Sequence, residues 1–63
     1  MKAYKVEVMS GDVATSYKVV GAETAPAAAT KATGRAVRDR RSEIRWIRLT
    51  DEEEWVVFKY AFT

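Results

Sequence analysis

The sequence predicts a single α+β domain in which one helix packs on one face of a four-stranded antiparallel sheet. Three observations predict this class: a pair of alternating apolar and polar segments near the N-terminus, an alanine-rich segment of helical periodicity, and a second pair of strand-like segments after it. The chain has 63 residues, which leaves room for one core between two layers. We therefore treat residues 1–63 as one domain of the order β-β-α-β-β.

The N-terminal third of the chain predicts a β-hairpin. Tyr4 to Met9 alternates between two sides, as a half-buried strand does. The segment Ser10-Gly11-Asp12 has turn chemistry, and alternation resumes between Thr15 and Val20. On this pattern we expect Tyr17 to share the helix-covered face with Tyr4, and Lys18 and Val20 to lie on the opposite, open face.

The middle of the chain predicts a helix that begins near residue 25. Gly21 breaks the preceding strand, the hydroxyl of Thr24 can cap the helix, and Pro26 falls in the first turn, where a missing N–H costs nothing. The predicted buried stripe consists of methyl groups, from Ala25, Ala29, Ala32 and Ala36. Gly34 weakens this helix by about 1 kcal/mol relative to alanine, so the helix either ends or frays there.

Residues 43–50 predict a third strand whose phase is ambiguous. Ile44 and Trp46 occupy one side of this segment, whereas Ile47 and Leu49 occupy the other. Either both faces of the strand are partly apolar, or a bulge shifts the phase.

Residues 55–62 predict a fourth strand that anchors the core. Their alternation is the cleanest in the chain, with Val56, Phe58, Tyr60 and Phe62 on one side. If the third strand lies beside the first, a helical crossover gives an antiparallel sheet of spatial order 2-1-3-4. One helix covers only one face of such a sheet, so the opposite face is open to solvent or to a partner.

The composition removes most enzyme classes. The chain contains no cysteine and no histidine, which excludes disulfides, thiolate-based metal sites and nucleophilic triads that use either residue. We expect no catalytic residue, no metal and no cofactor. Neither a signal-peptide run nor a membrane span of about 20 apolar residues is present, which predicts a cytoplasmic protein without a membrane partner.

Two charged segments are the predicted partner-binding residues. All the arginines lie in segment 35–48, which carries a formal charge of +4. They are Arg35, Arg38, Arg40, Arg41, Arg45 and Arg48. Guanidinium groups suit phosphate and carboxylate, so this density favours an anionic partner.

An acidic segment follows the arginine segment, in the loop before the last predicted strand. Asp51, Glu52 and Glu53 are the predicted partner-binding acids, together with Trp55. On the open face Trp55 would join Lys5 and other lysines in a basic aromatic surface, which is how several single-strand nucleic-acid binders work. The acidic loop would repel phosphate, however, which favours a protein partner with mixed patches.

The predicted elements are two strands, an alanine-rich helix opened by Ala22-Glu23-Thr24, and further strands. In this order of elements the chain resembles the small phage host-takeover proteins, such as the podophage RNA-polymerase inhibitor and small anti-CRISPR proteins. The resemblance implies a non-enzymatic inhibitor or adaptor that docks on a host nucleic-acid-handling protein complex in the host cytoplasm.

Two further hypotheses remain open at this point. One is direct nucleic-acid binding through the arginine segment and the open sheet face. The other is a homodimer in which an edge strand, the second or the fourth, extends the sheet across two copies.

Overall fold

The computed structural model describes residues 1–63 and shows an α+β fold with one helix and a five-stranded antiparallel sheet. The elements in chain order are β1 (Lys2–Ser10), β2 (Val13–Ala22), α1 (Ala25–Thr33), β3 (Val37–Asp39), β4 (Arg45–Asp51) and β5 (Val57–Phe62). Their spatial order is β2-β1-β4-β5-β3, and every neighbouring pair is antiparallel.

The predictions of four strands and of order 2-1-3-4 were wrong in detail, because a short fifth strand closes the sheet. Strand β3 pairs with β5, from Val37 opposite Phe62 to Asp39 opposite Tyr60. A strand of three residues is too short to produce a visible alternation. The predicted adjacencies of the two hairpins and of β1 with β4 are present.

A β-bulge in the first hairpin determines which residues face the helix. Val8 lies opposite Ser16 and Met9 opposite Ala14, which leaves Thr15 as an extra residue in β2. The Thr15 hydroxyl donates a hydrogen bond to the carbonyl of Val8 at 3.1 Å. A side-chain hydrogen bond therefore stabilises the bulge.

The register of the same hairpin corrects the predicted faces of β2. Tyr17 lies opposite Glu7, and Val20 lies opposite Tyr4. Cross-strand partners share a face, so Tyr17 is on the open face and not beside Tyr4. Lys18 and Val20, which the sequence pattern assigned to the open face, are on the helix side.

The helix begins as its sequence predicts. The hydroxyl of Thr24 accepts a hydrogen bond from the N–H of Ala27 at 3.3 Å, and Pro26 lies in the first turn. Ala28 and Ala29 are fully buried against the sheet. The predicted methyl stripe therefore packs on the core, with the side-chain volume supplied by the strands.

The helix ends one residue before Gly34. This glycine has φ +72°, and its N–H donates to the carbonyl of Thr30 at 2.7 Å, the geometry of a left-handed helix C-cap. The extension of the helical stripe to Ala36 was therefore wrong, and Arg38 belongs to β3.

The third predicted strand, β4 in the structure, has apolar residues on both faces and contains no bulge. β4 pairs continuously with β1, from Asp51 opposite Tyr4 to Arg45 opposite Ser10. Ile47 and Leu49 are fully buried on the helix side, while Trp46 is buried on the opposite side. The last strand begins at Val57, so the prediction that it includes Trp55 was wrong.

Replacement of Gly34 by alanine tests the helix end. A Cβ at this position meets no atom within 4 Å, so the cost is the left-handed backbone conformation itself. We expect Gly34→Ala to lower the free energy of unfolding by about 1 kcal/mol, measured by urea denaturation. An interior helical glycine would give the opposite sign.

Gly21→Ala is the matched control, because Gly21 lies outside the positive-φ region and an added Cβ there makes ordinary contacts of 3.6 Å or more. Equal effects of the two substitutions would contradict the C-cap assignment.

Candidate partner-binding surface

The sheet face that α1 leaves uncovered, here called the open face, is strongly basic. Alternation and register place four cationic side chains on it, those of Lys5, Arg38, Arg48 and Lys59. Glu7 is the only carboxylate among them, so these five groups carry a net charge of +3, against +2 for the whole chain. The positive charge of the molecule is therefore concentrated on this face.

A two-pronged ion pair holds the centre of the open face. Arg48 donates through Nε to Oε1 of Glu7 at 2.9 Å and through Nη2 to Oε2 at 3.0 Å. Glu7 is buried, whereas Arg48 is partly exposed. The hydrogen bonds from Arg48 lower the pKa of Glu7, and those to Glu7 raise the pKa of Arg48. The Nε and Nη2 groups of Arg48 are thus both hydrogen-bonded within the chain.

Trp46 is also on this side of the sheet, but its ring is covered. Its Nε1 donates to the carbonyl of Gly11 at 2.8 Å, and the guanidinium of Arg40 lies 4.1 Å from the ring centroid. Lys59 lies 5.9 Å from the same centroid. Arg40 is fixed in turn by a hydrogen bond from its Nε to the carbonyl of Glu43, at 3.1 Å. The ring packs under cations and is not presented to a ligand.

The remaining arginines differ in what they contact. Arg38 forms an ion pair with Glu43 at 2.7 Å, and Arg35 stacks 4.3 Å from the centroid of Phe62. The guanidinium groups of Arg41 and Arg45 form neither an ion pair nor a hydrogen bond within the chain. The arginine segment is therefore spread over several sites, and these two cations are the ones left for a partner.

Glu43 organises the loop that carries these arginines. Its Oε1 accepts a hydrogen bond from the N–H of Arg41 at 2.8 Å. This bond from the backbone, with the further support of Arg38, lowers the pKa of Glu43 to about 2. The loop conformation depends on a carboxylate that stays ionised at all but very acidic pH.

The acidic loop between β4 and β5 is built around Asp51. The side chain of Asp51 is almost fully buried, and its Oδ1 accepts hydrogen bonds from the N–H groups of Glu53 at 2.9 Å and Glu54 at 3.2 Å. Lys2 donates to Oδ2 of Asp51 at 3.1 Å and also contacts Glu54. The backbone N–H of Glu53, with help from Lys2, lowers the pKa of Asp51. Asp51 therefore shapes the loop rather than presenting a charge.

The other predicted residues of this loop are accessible. Glu53 is exposed and Glu52 is half-buried. Trp55 has φ +58° and is 73% exposed, and its N–H donates to the carbonyl of Asp51 at 2.7 Å. Trp55 thus directly follows three glutamates in an exposed loop, outside the strands that form the open face.

Sequence reasoning missed three features of this surface: the pairing of Glu7 with Arg48, the covering of Trp46 by Arg40, and the exposure of Tyr17. The ion pair joins residues that are 41 positions apart, and the exposure of Tyr17 depends on the hairpin register. The contact of Arg40 with Trp46 depends on the conformation of the loop between β3 and β4. The ion pair alone had a usable signal, since a charged residue of each sign falls in the middle of a predicted strand.

No protein-family model matches this chain, and no curated protein or solved structure is detectably similar to it. The structure contains no helix with the length and apolar character that crossing a membrane requires. It also contains no group of three or more acidic side chains placed to hold a metal ion.

Acid titration tests the pairing of Glu7 with Arg48. The pKa of Glu7 lies below 4.5 in the folded chain, so the pairing contributes stability in full above about pH 4.5, and this contribution is lost as the pH falls through the folded value. We expect Glu7→Gln to cost about 1–2 kcal/mol at pH 7 and to reduce the loss of stability on acidification. Urea unfolding curves between pH 7 and pH 2.5 measure both effects.

Glu53→Gln is the control, because it removes the same charge from an exposed side chain that forms no ion pair. Parallel stability profiles for the two variants would exclude a stabilising role for the Glu7–Arg48 pair.

A comparison of Arg40 with its neighbour tests the covering of Trp46. Arg40→Ala removes the cation from above the indole ring, and we expect a loss of about 0.5–1 kcal/mol in the free energy of unfolding. Arg41→Ala should change it by less than about 0.5 kcal/mol, because the Arg41 guanidinium has no partner in the chain. Thermal or urea unfolding of both variants decides this, and equal losses would contradict the proposed contact.

Proposed function

We propose that this chain is a non-enzymatic binding domain, a small inhibitor or adaptor whose open face docks on an acidic surface of a protein. One observation carries the proposal: the strand positions of the open face carry a net charge of +3, and the only carboxylate among them, Glu7, is buried beneath Arg48. The adjoining loop adds one cation, Arg40, and one carboxylate, Glu43, whose charges cancel. A face of one sign attracts and orients a partner of the opposite sign. The chain also resembles phage host-takeover proteins in the order of its elements. On this resemblance, the partner protein would belong to a complex that handles nucleic acids.

The aromatic residues favour a protein over a nucleic acid as the partner. Proteins that bind single strands stack successive bases on several accessible rings. On the open face Trp46 is covered by Arg40, which leaves Tyr17 as the accessible ring. Trp55 is accessible as well, but it lies among carboxylates that repel phosphate.

Direct nucleic-acid binding remains a second candidate because of Arg41 and Arg45. Their guanidinium groups have no partner in the chain, and free guanidinium groups are common phosphate ligands. This candidate predicts a steep dependence of oligonucleotide affinity on salt.

Charge reversal on the open face tests the proposed docking surface. We expect Lys59→Glu to reduce capture of a protein from cell lysate by about tenfold or more, since a like charge then faces the acidic partner. Quantitative affinity capture at moderate salt, with the captured protein identified from the wild-type chain, measures the effect.

The double variant Ala27→Glu/Thr30→Glu is the matched control. It lowers the net charge by the same two units, on exposed positions of α1 at the opposite side of the molecule. Equal capture by both variants would overturn the open face as the docking surface. Capture that disappears after nuclease treatment would favour the nucleic-acid candidate, which titration with single-stranded and duplex oligonucleotides at two salt concentrations then tests directly.

A further inference from the structure

The two edges of the sheet differ greatly in length and protection. At one edge β3 has three residues, two of which are charged. At the other edge β2 has ten residues and no neighbour on its outer side. Natural proteins usually shorten, charge or cover such an edge, because its free N–H and C=O groups can pair with another chain.

Two hydrogen bonds identify the backbone groups of β2 that point away from the sheet. The carbonyl of Ala3 in β1 accepts from the N–H of Glu52, so at Ala3 the backbone of β1 points toward β4 and not toward β2. Gly21 lies opposite Ala3, and its carbonyl accepts instead from Nζ of Lys31, outside the ladder. By alternation along the strand, the backbone groups of Val19 and Tyr17 also point outward.

The side chains at these positions are apolar and exposed. Tyr17 is 70% exposed and Val19 is 54% exposed, and both lie on the open face. Lys18 is the only charged residue of β2, and Lys5 of the neighbouring strand lies 5.2 Å from the centroid of the Tyr17 ring. This edge therefore combines free backbone groups, exposed apolar surface and positive charge, with no acid on the strand.

We propose that the β2 edge binds an extended acidic segment of the partner protein, which adds to the sheet as a sixth strand. This rests on the proposed function, for which it specifies the form of the partner: backbone hydrogen bonds to Tyr17 and Val19, apolar side chains beside these two, and carboxylates facing Lys18. Strand addition to a free sheet edge is an established mode of peptide recognition.

Charge distinguishes this occupant from a second copy of the chain. If two β2 strands pair across a dyad so that Tyr17 of each copy lies opposite Val19 of the other, Lys18 of one copy lies directly opposite Lys18 of the other. Like charges on paired strands are destabilising, whereas carboxylates at the same positions are attracted. The predicted homodimer through this edge is thus less favourable than an acidic partner.

A designed peptide tests the edge directly. The probe is acetyl-Thr-Glu-Val-Glu-Val-Glu-Thr-amide, in which the valines can lie beside Tyr17 and Val19 while the glutamates face Lys18. NMR titration of the full chain should shift the amide signals of Tyr17 and Val19 and slow their hydrogen exchange. The same peptide with lysine in place of glutamate should bind about tenfold more weakly or worse, because it repels Lys18.

Val19→Pro is the variant that removes the edge donor. Since the N–H of Val19 points outward, proline removes no hydrogen bond of the β1–β2 ladder. We expect affinity for the acidic peptide to fall about tenfold, the equivalent of one lost backbone hydrogen bond. Unchanged amide signals in β4, β5 and α1 establish that the variant is folded, and a peptide N-methylated at both valines gives a second test that leaves the protein unaltered.

Three results would overturn the proposal: equal binding of the N-methylated peptide, equal binding of the lysine peptide, or chain dimerisation through the Tyr17 and Val19 amides without peptide. The titration uses no cellular partner, so its failure is separate from failure of the open-face test. Lys59→Glu should leave peptide affinity within about twofold, because Lys59 lies on β5, which β1 and β4 separate from β2.

Discussion

A helix of nine residues can cover only part of one face of a five-stranded sheet, and the rest of this structure depends on that constraint. Since nothing covers the opposite face, its side chains have to keep the strands in register while remaining compatible with water. Buried alanines let α1 approach the sheet closely, so large strand residues such as Ile47 and Leu49 fill the core. On the other face long polar side chains replace a second layer.

The open face achieves this with cations that pack as well as attract. Arg40 lies on the ring of Trp46, so its guanidinium covers apolar surface while its charge stays near solvent. Arg48 spans to Glu7 across neighbouring strands β1 and β4. The residues that stabilise the uncovered face are therefore also the source of its positive charge, on which the proposed docking depends.

The helix start and the main strand adjacencies were predictable from the sequence, whereas strand register and side-chain partners were not. Thr24 and Pro26 indicated the start of the helix because capping acts within a few residues. Gly34 was ambiguous, because a glycine inside a helix and one at its C-terminal end look alike in the sequence until the backbone angle φ is known. Tyr17 was assigned to the wrong face because the pairing of β1 with β2 is not visible in either strand alone.

The charged segments show the same limit at the level of the site. As a sequence, residues 35–48 form one block of arginines, whereas in the fold their partners lie in three different elements: Glu7 in β1, Trp46 in β4 and Phe62 in β5. The acidic segment divides likewise, since Asp51 is turned inward to bind backbone N–H groups. Charge density along the chain indicated that an anionic partner was plausible, but the free charges are found only by subtracting those the fold already uses.

The two edges of the sheet differ in how many of their backbone groups are bonded within the chain. The β5 side of the sheet is closed by β3, and the flanking residues Arg40 and Thr63 extend the pairing through hydrogen bonds to the carbonyls of Lys59 and Ala36. No comparable segment follows β2. The prediction that Gly21 breaks this strand was wrong, because β2 continues to Ala22, and Glu23 and Thr24 alone separate it from the helix. At the β2 edge only the carbonyl of Gly21 is bonded, to Lys31. One edge is therefore short and charged, whereas the other is ten residues long and has free hydrogen-bonding groups at the border of a basic face. The proposed acidic strand would satisfy both the free backbone groups and the charge there.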